Sequence, residues 1–383
     1  MNARVLALSH SGVLGGAELS MLDVVSALGD EVAVRLFADG PFRAALERRG
    51  VSVQVLPMGA LRSVRKGSRL PSPAALWSTW RLAGRVAAEG REARLLYANS
   101  QKAFVVAALA GFRCGRPVVW HLRDLLGPPH FSAINTRAVV TLANLGAARV
   151  IANSRATAEA FVRSGGDGAK VRVVHNGIDA APFDAVTDAE SGRARAELSP
   201  TANYVMAVFG RLSPWKGQDV ALAALRALPA DCDLWIVGAA LFGEDAYEAG
   251  LRATAESLGV ASRVRFLGFR DDVPRLMKAA DVVVHASSLP EPFGRVAVEG
   301  MLASRPVVAT AAGGIGEIVT DGRTGVLVPP GDAGALARAV SALRDDPARA
   351  ATLAAAGAAH ARAAFSVDAM VRGVRAVFDE VAR

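Results

Sequence analysis

Short runs of β-branched and aliphatic residues recur along this chain of 383 residues, separated by longer stretches rich in Ala, Leu and Arg with helical spacing. A strand that is apolar throughout needs cover on both faces, and a parallel neighbour is reached only through a crossover long enough to hold a helix. The alternation therefore predicts βαβ units on parallel sheets. It occurs twice. Strands are expected at 5–8, 32–36, 53–56, 95–97, 118–121, 149–151 and 171–174, with helices such as 17–27 and 137–147 between them. A second series opens at 204–209 and continues at 234–237, 264–267, 282–285, 307–309 and 326–328. Residues 181–200 carry little strand signal and read as a linker, while the Ala-rich end of the chain from 333 reads as helix broken at Pro347 and near Phe365-Ser366. The expected fold class is α/β, two tandem doubly wound Rossmann-like domains at 1–180 and 201–364. Such domains carry their ligand loops at the strand C-termini, here expected to face a cleft.

Composition removes several other classes. An apolar content of 52% is enough for a large core, and Cys114 and Cys232 alone support neither a disulfide framework nor a cysteine metal site. A reducing cytoplasm is the expected compartment. Val5-Leu6-Ala7-Leu8 is too short for a leader and reads as the first strand, and the longest apolar stretch, around 103–111, has the length of a buried helix. The 44 Lys and Arg against 36 Asp and Glu leave a net charge of +8, which suits nucleic acid, an anionic membrane or an anionic small molecule. No helix-turn-helix, RNA-recognition or zinc pattern is present, and the aromatic residues are not interleaved with cations, so nucleic acid is not an expected partner.

Three segments carry chemistry. Gly12-Val13-Leu14-Gly15-Gly16-Ala17-Glu18 follows the first strand and opens a helix, where glycines admit an anion to free N–H groups. Its spacing is not that of a dinucleotide fingerprint, and glycine is common in any such turn. Phe209-Gly210-Arg211-Leu212-Ser213-Pro214-Trp215-Lys216-Gly217 places a guanidinium and an ammonium in the first loop of the second series. That pair suits a diphosphate, the competing reading being two solvated cations. Ser288-Leu289-Pro290-Glu291-Pro292-Phe293-Gly294-Arg295-Val296-Ala297-Val298-Glu299-Gly300 sets Glu291 in a stiff loop after a strand, with Glu299 about two turns along the following helix. Two such carboxylates can grip hydroxyl groups of an extended ligand. A helix-dipole partner and a solvated face residue is the competing reading.

Together with Asn176-Gly177-Ile178-Asp179, Phe266-Leu267-Gly268, the 281–287 strand, Gly313-Gly314-Ile315-Gly316-Glu317 and the glycine-rich turn at 322–332, these motifs resemble the family 4 retaining glycosyltransferases of the GT-B fold, in the family's order over nearly the whole chain. The resemblance implies transfer of a sugar from a nucleotide diphosphate sugar, UDP favoured and GDP-mannose next, to a hydroxyl of a glycan, lipid-linked or small-molecule acceptor, without a cofactor or metal. It implies a donor domain at the C-terminal end, an acceptor domain at the N-terminal end, and a last helix at 365–383 packing back on the latter. Arg211 and Lys216 then balance the diphosphate, Glu299 takes ribose hydroxyls, and Glu291 with the Phe293 and Gly294 amides orients the donor sugar. Gly16 reaches the phosphate across the cleft, and Gly15, Gly210, Gly238, Leu267, Arg295 and Val296 complete the donor site. His121, in Trp120-His121-Leu122-Arg123-Asp124, matches the family's active-site histidine and positions the sugar, while Glu18, Asn99, Arg123 and Asp124 are the acceptor candidates. His10 and His175 read as structural.

The same fold also hosts idle nucleotide-sugar-binding scaffolds, against which the intact set Arg211, Lys216, Glu291 and Glu299 argues. Arg62, Arg65, Lys66 and Arg69, followed by Leu76, Trp77, Trp80 and Leu82 on one helix face, suggest peripheral contact with an anionic membrane, at the inner face of a cell. A polar loop before a core-packed helix is the competing reading.

Overall fold

A computed structural model describes residues 4–63, 72–128, 131–240 and 244–382. The chain forms two compact units, Met1–Gly177 with Val367–Arg383, and Ile178–Ser366.

The first unit holds seven strands: β1 (Arg4–Ser9), β2 (Val32–Leu36), β3 (Val53–Val55), β4 (Ala93–Ala98), β5 (Val118–Leu122), β6 (Arg149–Ala152) and β7 (Val171–Val173). They pair in the order β3-β2-β1-β4-β5-β6-β7, every pair parallel. Helices cover both faces, which is why all five residues of β5 are buried. The helices at Gln101–Cys114, Ala133–Gly146 and Arg155–Arg163 each start behind a serine, Ser100, Ser132 or Ser154, whose hydroxyl accepts an otherwise orphaned N–H of the first turn.

The last helix, Val367–Val381, belongs to this unit. Met370, Val374 and Phe378 share a core with Val5, Ala7 and Tyr97, and Phe378 meets the Tyr97 ring edge-on at 5.1 Å. Glu380 ties the far end of the helix to Arg149 and Arg172.

The second unit holds β8 (Tyr204–Phe209), β9 (Cys232–Val237), β10 (Val264–Gly268), β11 (Val282–His285), β12 (Val307–Thr310) and β13 (Val326–Val328), ordered β10-β9-β8-β11-β12-β13 and again all parallel. In both sheets the order reverses beside the first strand, between β1 and β4 and between β8 and β11, and the loops leaving those strands' C-termini line the crevice where α/β sheets bind ligands.

Residues 181–200 are not a linker. Ile178 opens the second unit with its N–H on the Phe365 carbonyl at 2.8 Å, and short helices follow at Ala181–Asp184 and Asp188–Leu198. The second is started by a capping box between Thr187 and Glu190, buries Ala194, and docks through the ion pair Arg195–Asp281 at 2.6 Å. Its charged, alanine-rich sequence lacks the apolar stripe by which a packed helix is recognised.

On the helix Pro73–Gly90, Leu76, Trp77 and Trp80 are exposed, whereas Leu82 lies in the core rather than with them. Arg65, Lys66 and Arg69 of the expected membrane-facing stretch, and the side chain of Arg62, fall outside the described residues. Among the described residues no helix is long and apolar enough to cross a membrane.

Candidate active site

In the second unit the crevice between β8 and β11 is built from three glycine-dependent approaches. Gly217 (φ 72°) sits so near the end of β11 that a Cβ there would lie 1.9 Å from the Ala286 carbonyl oxygen. Gly238 (φ 142°), at the end of β9, would meet the Gly210 carbonyl oxygen at 2.0 Å. Gly313 (φ 66°) backs onto Glu291, whose carbonyl also accepts the Gly314 N–H at 2.8 Å. No side chain fits at these points, so the backbone loops close directly on one another.

Glu291 is the centre of this arrangement. Its carboxylate, 9% exposed, forms an ion pair with Lys216, accepts a hydrogen bond from the Ser287 hydroxyl at 2.5 Å, and lies 3.0 Å from Nε2 of His285, an approach short of hydrogen-bond alignment. All three partners meet Oε1, which leaves Oε2 to another donor. Burial pushes this carboxyl up, but the charges of Lys216 and His285 outweigh it and hold the group well below the usual carboxylate range. Behind them Thr310 donates to the Ser287 carbonyl at 2.8 Å and stands 3.4 Å from Nδ1 of His285.

Lys216 also lies over the Trp215 ring, 4.3 Å from its centroid. Arg211, in the loop after β8, is 4.0 Å from Glu244, which in turn takes the Ser213 hydroxyl at 2.9 Å.

The helix after Glu291 begins only at Arg295, behind Gly294 in the left-handed region (φ 108°). Glu291 lies before this helix, bridged to Gly313, and Glu299 is in its second turn, paired with Arg295 at 3.2 Å. Both members of that pair are half-buried, so Glu299 is not a solvated face residue. Phe293 turns its ring into the core against Phe365, and Leu267 and Val296 are half-buried at the edge of the same region.

In the first unit, His121 near the end of β5 is fully buried. Its Nδ1 is 2.6 Å from the Tyr97 hydroxyl and 3.2 Å from Nη2 of Arg123. Burial, with the Arg123 charge added, holds its pKa well below the ordinary histidine value and leaves the ring neutral. Burial likewise raises the Tyr97 phenol. Arg123 and Asn99, expected at the acceptor, are both buried: Arg123 donates to Asn99, Ser20 and Asn176, and Asn99 donates to the Ala17 carbonyl at 3.1 Å.

Glu18 turns back on the N–H groups at Gly15 and Glu18 at the start of its own helix, where burial raises its pKa against those bonds and Arg123. Asp124, half-buried, adds its charge to that rise. Gly15 caps the helix Gly16–Leu28 and Gly16, its first residue, is exposed, whereas Gly12 is held to glycine by packing, since a Cβ there would stand 2.2 Å from the Asp39 carbonyl oxygen.

Sequence reasoning missed His285, Ser287 and Thr310 around Glu291, and Tyr97 beside His121. His285 and Ser287 stand in the 281–287 motif, but only the parallel pairing of β11 with β8 and β12 brings them to Lys216 and Thr310.

Two doubly wound units, with a cation-bearing loop and a buried Glu at the switch point of the second, define the GT-B class of glycosyltransferase folds. A model described as "Glycosyl transferase 4-like domain" matches residues 15–177, and one described as "Glycosyl transferases group 1" matches residues 193–360. A D-inositol 3-phosphate glycosyltransferase from Salinispora arenicola is 32% identical over 97% of this chain and 88% of its own length. The one from Salinispora tropica is 35% identical over 69% of this chain, and matches to this and similar curated relatives span 61% to 48% of their length. Among solved structures, Anabaena HepE in complex with UDP is 40% identical, with 98% of this chain and 100% of that one covered at a TM-score of 0.89. HepE in complex with UDP and glucose is 39% identical, with 99% and 100% covered at a TM-score of 0.90. The chain belongs to glycosyltransferase family 4.

Proposed function

We propose that this protein transfers a sugar, with retention, from a UDP-sugar to a hydroxyl of a glycan, lipid-linked or small-molecule acceptor. The observation that carries the reading is Glu291, buried, ionised and tied through one oxygen to Lys216 at the switch point of the second sheet. Oε2 accepts from a donor-sugar hydroxyl, while Lys216 and Arg211 lie along the diphosphate. As the glycosidic bond breaks, its electron pair passes to the leaving phosphate oxygen, and the two cations stabilise the growing charge without a metal. The acceptor oxygen bonds to the anomeric carbon, and its proton goes to a phosphate oxygen. Glu299, fixed by Arg295, takes ribose hydroxyls at the far end of the donor.

The UDP and UDP-glucose complexes of HepE support a uridine donor, and the inositol phosphate relatives support a polyol or sugar hydroxyl as acceptor. A thermal-shift panel of UDP- and GDP-sugars tests the donor, since a ligand at 100 times its Kd adds about 2.7 kcal/mol. The midpoint should rise with a UDP-sugar. No rise with any member, together with no slow donor hydrolysis, overturns the reading, and the anomeric configuration of the product by NMR decides retention.

The reading extends to peripheral contact with an anionic membrane, supported by exposed Leu76, Trp77 and Trp80 and by Arg113 stacked over Trp80 at 3.3 Å. Flotation with anionic liposomes should fall when Arg62, Arg65, Lys66 and Arg69 are changed to Ser. Equal flotation removes this extension.

A further inference from the structure

We infer that Arg123, with Tyr97, fixes the ring proton of His121 on Nε2, so that this histidine meets its ligand as a neutral hydrogen-bond donor and Arg123 is a positioning residue for the reaction. The inference rests on the proposed transfer for the identity of the ligand and of the reaction; the tautomer lock itself does not.

Nη2 of Arg123 lies 3.2 Å from Nδ1 of His121. A guanidinium has donors only and keeps its protons, so Nδ1 must be the unprotonated, accepting nitrogen. The Tyr97 hydroxyl, at 2.6 Å, donates to the same lone pair. A proton on Nδ1 would face the Arg123 N–H head-on, which disfavours both the other tautomer and the imidazolium. The remaining ring proton therefore sits on Nε2, and that atom is buried with no hydrogen-bond partner among the described residues. Buried N–H groups are nearly always satisfied, so a permanent donor with nothing to donate to is one kept for a ligand oxygen.

The guanidinium has no freedom to release Nδ1. Its Nε donates to Asn99 Oδ1 at 2.8 Å, and its Nη1 donates to Asn176 Oδ1 at 2.6 Å and Ser20 Oγ at 2.9 Å. Asn99 is anchored by its backbone N–H on the Leu8 carbonyl at 2.9 Å. The consequence for chemistry is that His121 cannot take a proton through Nε2. It orients an oxygen, and the acceptor's proton must leave by another group.

Histidine 15N NMR on the full-length protein tests this, with the His121 signals assigned by their loss in His121→Gln. The ligand-free wild type should show a protonated Nε2 and a bare Nδ1 from pH 6 to 8. The Tyr97→Phe/Arg123→Met pair should give a mixed tautomer, and Arg123→Lys, which keeps a cationic donor, should restore the Nε2–H form. UDP-glucose should shift the Nε2–H resonance. Arg123→Met should lower kcat ten-fold or more with the UDP Kd unchanged, and Arg123→Lys should recover part of it. A protonated Nδ1 in the wild type, a tautomer change without loss of kcat, or an Nε2–H resonance that stays unmoved while the protein binds UDP-glucose overturns the inference. If Arg123→Met fails to fold, the wild-type and Tyr97→Phe spectra still decide. A locked Nε2–H in a protein that binds no nucleotide sugar leaves the lock standing and the transfer reading overturned.

Discussion

Lys216 and Glu291, 75 residues apart in the chain, close an ion pair at the point where the strand order of the second sheet reverses. Neither can be understood alone. The carboxylate is buried too deeply to stay charged without the ammonium, and the ammonium is held, by the turn at Gly217, where the diphosphate of the proposed donor would find it already oriented. The ligand-free site thus holds its cation against an internal anion, which keeps a positive charge fixed in a crevice that would otherwise expel it.

Removing one partner should cost stability as well as activity. One-sided deletion of a buried pair costs about 3–5 kcal/mol, and Lys216→Met should fall at the low end because that side chain keeps 20% exposure. Urea unfolding should show the loss at pH 7, with most of it recovered in Lys216→Met/Glu291→Gln. The folded-state pKa of Glu291 is depressed, so its contribution is complete above the ordinary carboxylate value and is lost as pH falls through the lower folded one. Acidification should therefore narrow the gap between wild type and Glu291→Gln. A Lys216→Met protein as stable as wild type at pH 7 would sink the assignment.

Two glycines of nearly the same conformation should respond differently to alanine. Gly322 (φ 67°) has open space where a Cβ would go, so Gly322→Ala bears only the left-handed backbone cost of about 1–2 kcal/mol. Gly217 (φ 72°) adds a collision with the Ala286 carbonyl at the root of the Glu291 site. Comparison of urea midpoints and UDP affinity should find Gly217→Ala the less stable of the two and alone impaired in binding. Equal effects would mean that the approach of the two loops does not matter.

The strands were legible because each is covered on both faces. Residues 234–237 of β9 are all buried and all apolar, and such a run reads as a covered strand in any register. The helix Asp188–Leu198 was not, since only Ser191 and Ala194 of it are buried and its start is set by a capping box rather than by an apolar stripe. Lys216, Glu291 and Glu299 were visible as motifs. The grip on Glu291 was not, because His285, Ser287 and Thr310 reach it through pairing of β11 and β12, a relation between strands that no local spacing records. Arg123 was visible as a cation after a strand, but its burial against Asn99 and Asn176 depends on three chain segments meeting, which no local spacing records.

Glu18 gives a pH-dependent prediction of opposite sign to that for Glu291. Burial raises its folded-state pKa, so its contribution to stability is complete below the unfolded value and is lost as pH rises through the folded one. Glu18→Gln removes the charge and keeps the shape. Scanning calorimetry should find it melting roughly 1–3 °C above wild type at pH 8, in the range expected of a small gain in a domain of this size. The advantage should vanish near pH 4. A variant less stable than wild type at pH 8 would show that the backbone N–H groups at Gly15 and Glu18 need the full negative charge.

Glu291 and Glu299 should separate in their kinetics, because only one is proposed to act near the bond that breaks. Glu291→Gln weakens an interaction beside the reacting sugar, so kcat should fall by tens-fold, about 2 kcal/mol of transition-state stabilisation. Glu299 is held by Arg295 in the second turn of its helix, and its proposed contact is with the ribose. A contact that is the same in ground and transition states alters binding alone. Glu299→Gln should thus raise the donor KM about ten-fold, or about 1.4 kcal/mol, with kcat within two- or three-fold of wild type. Steady-state rates over a range of UDP-sugar concentrations measure both. A Glu299→Gln enzyme that lost kcat at unchanged KM would move this carboxylate from the nucleotide end of the donor to the reacting end.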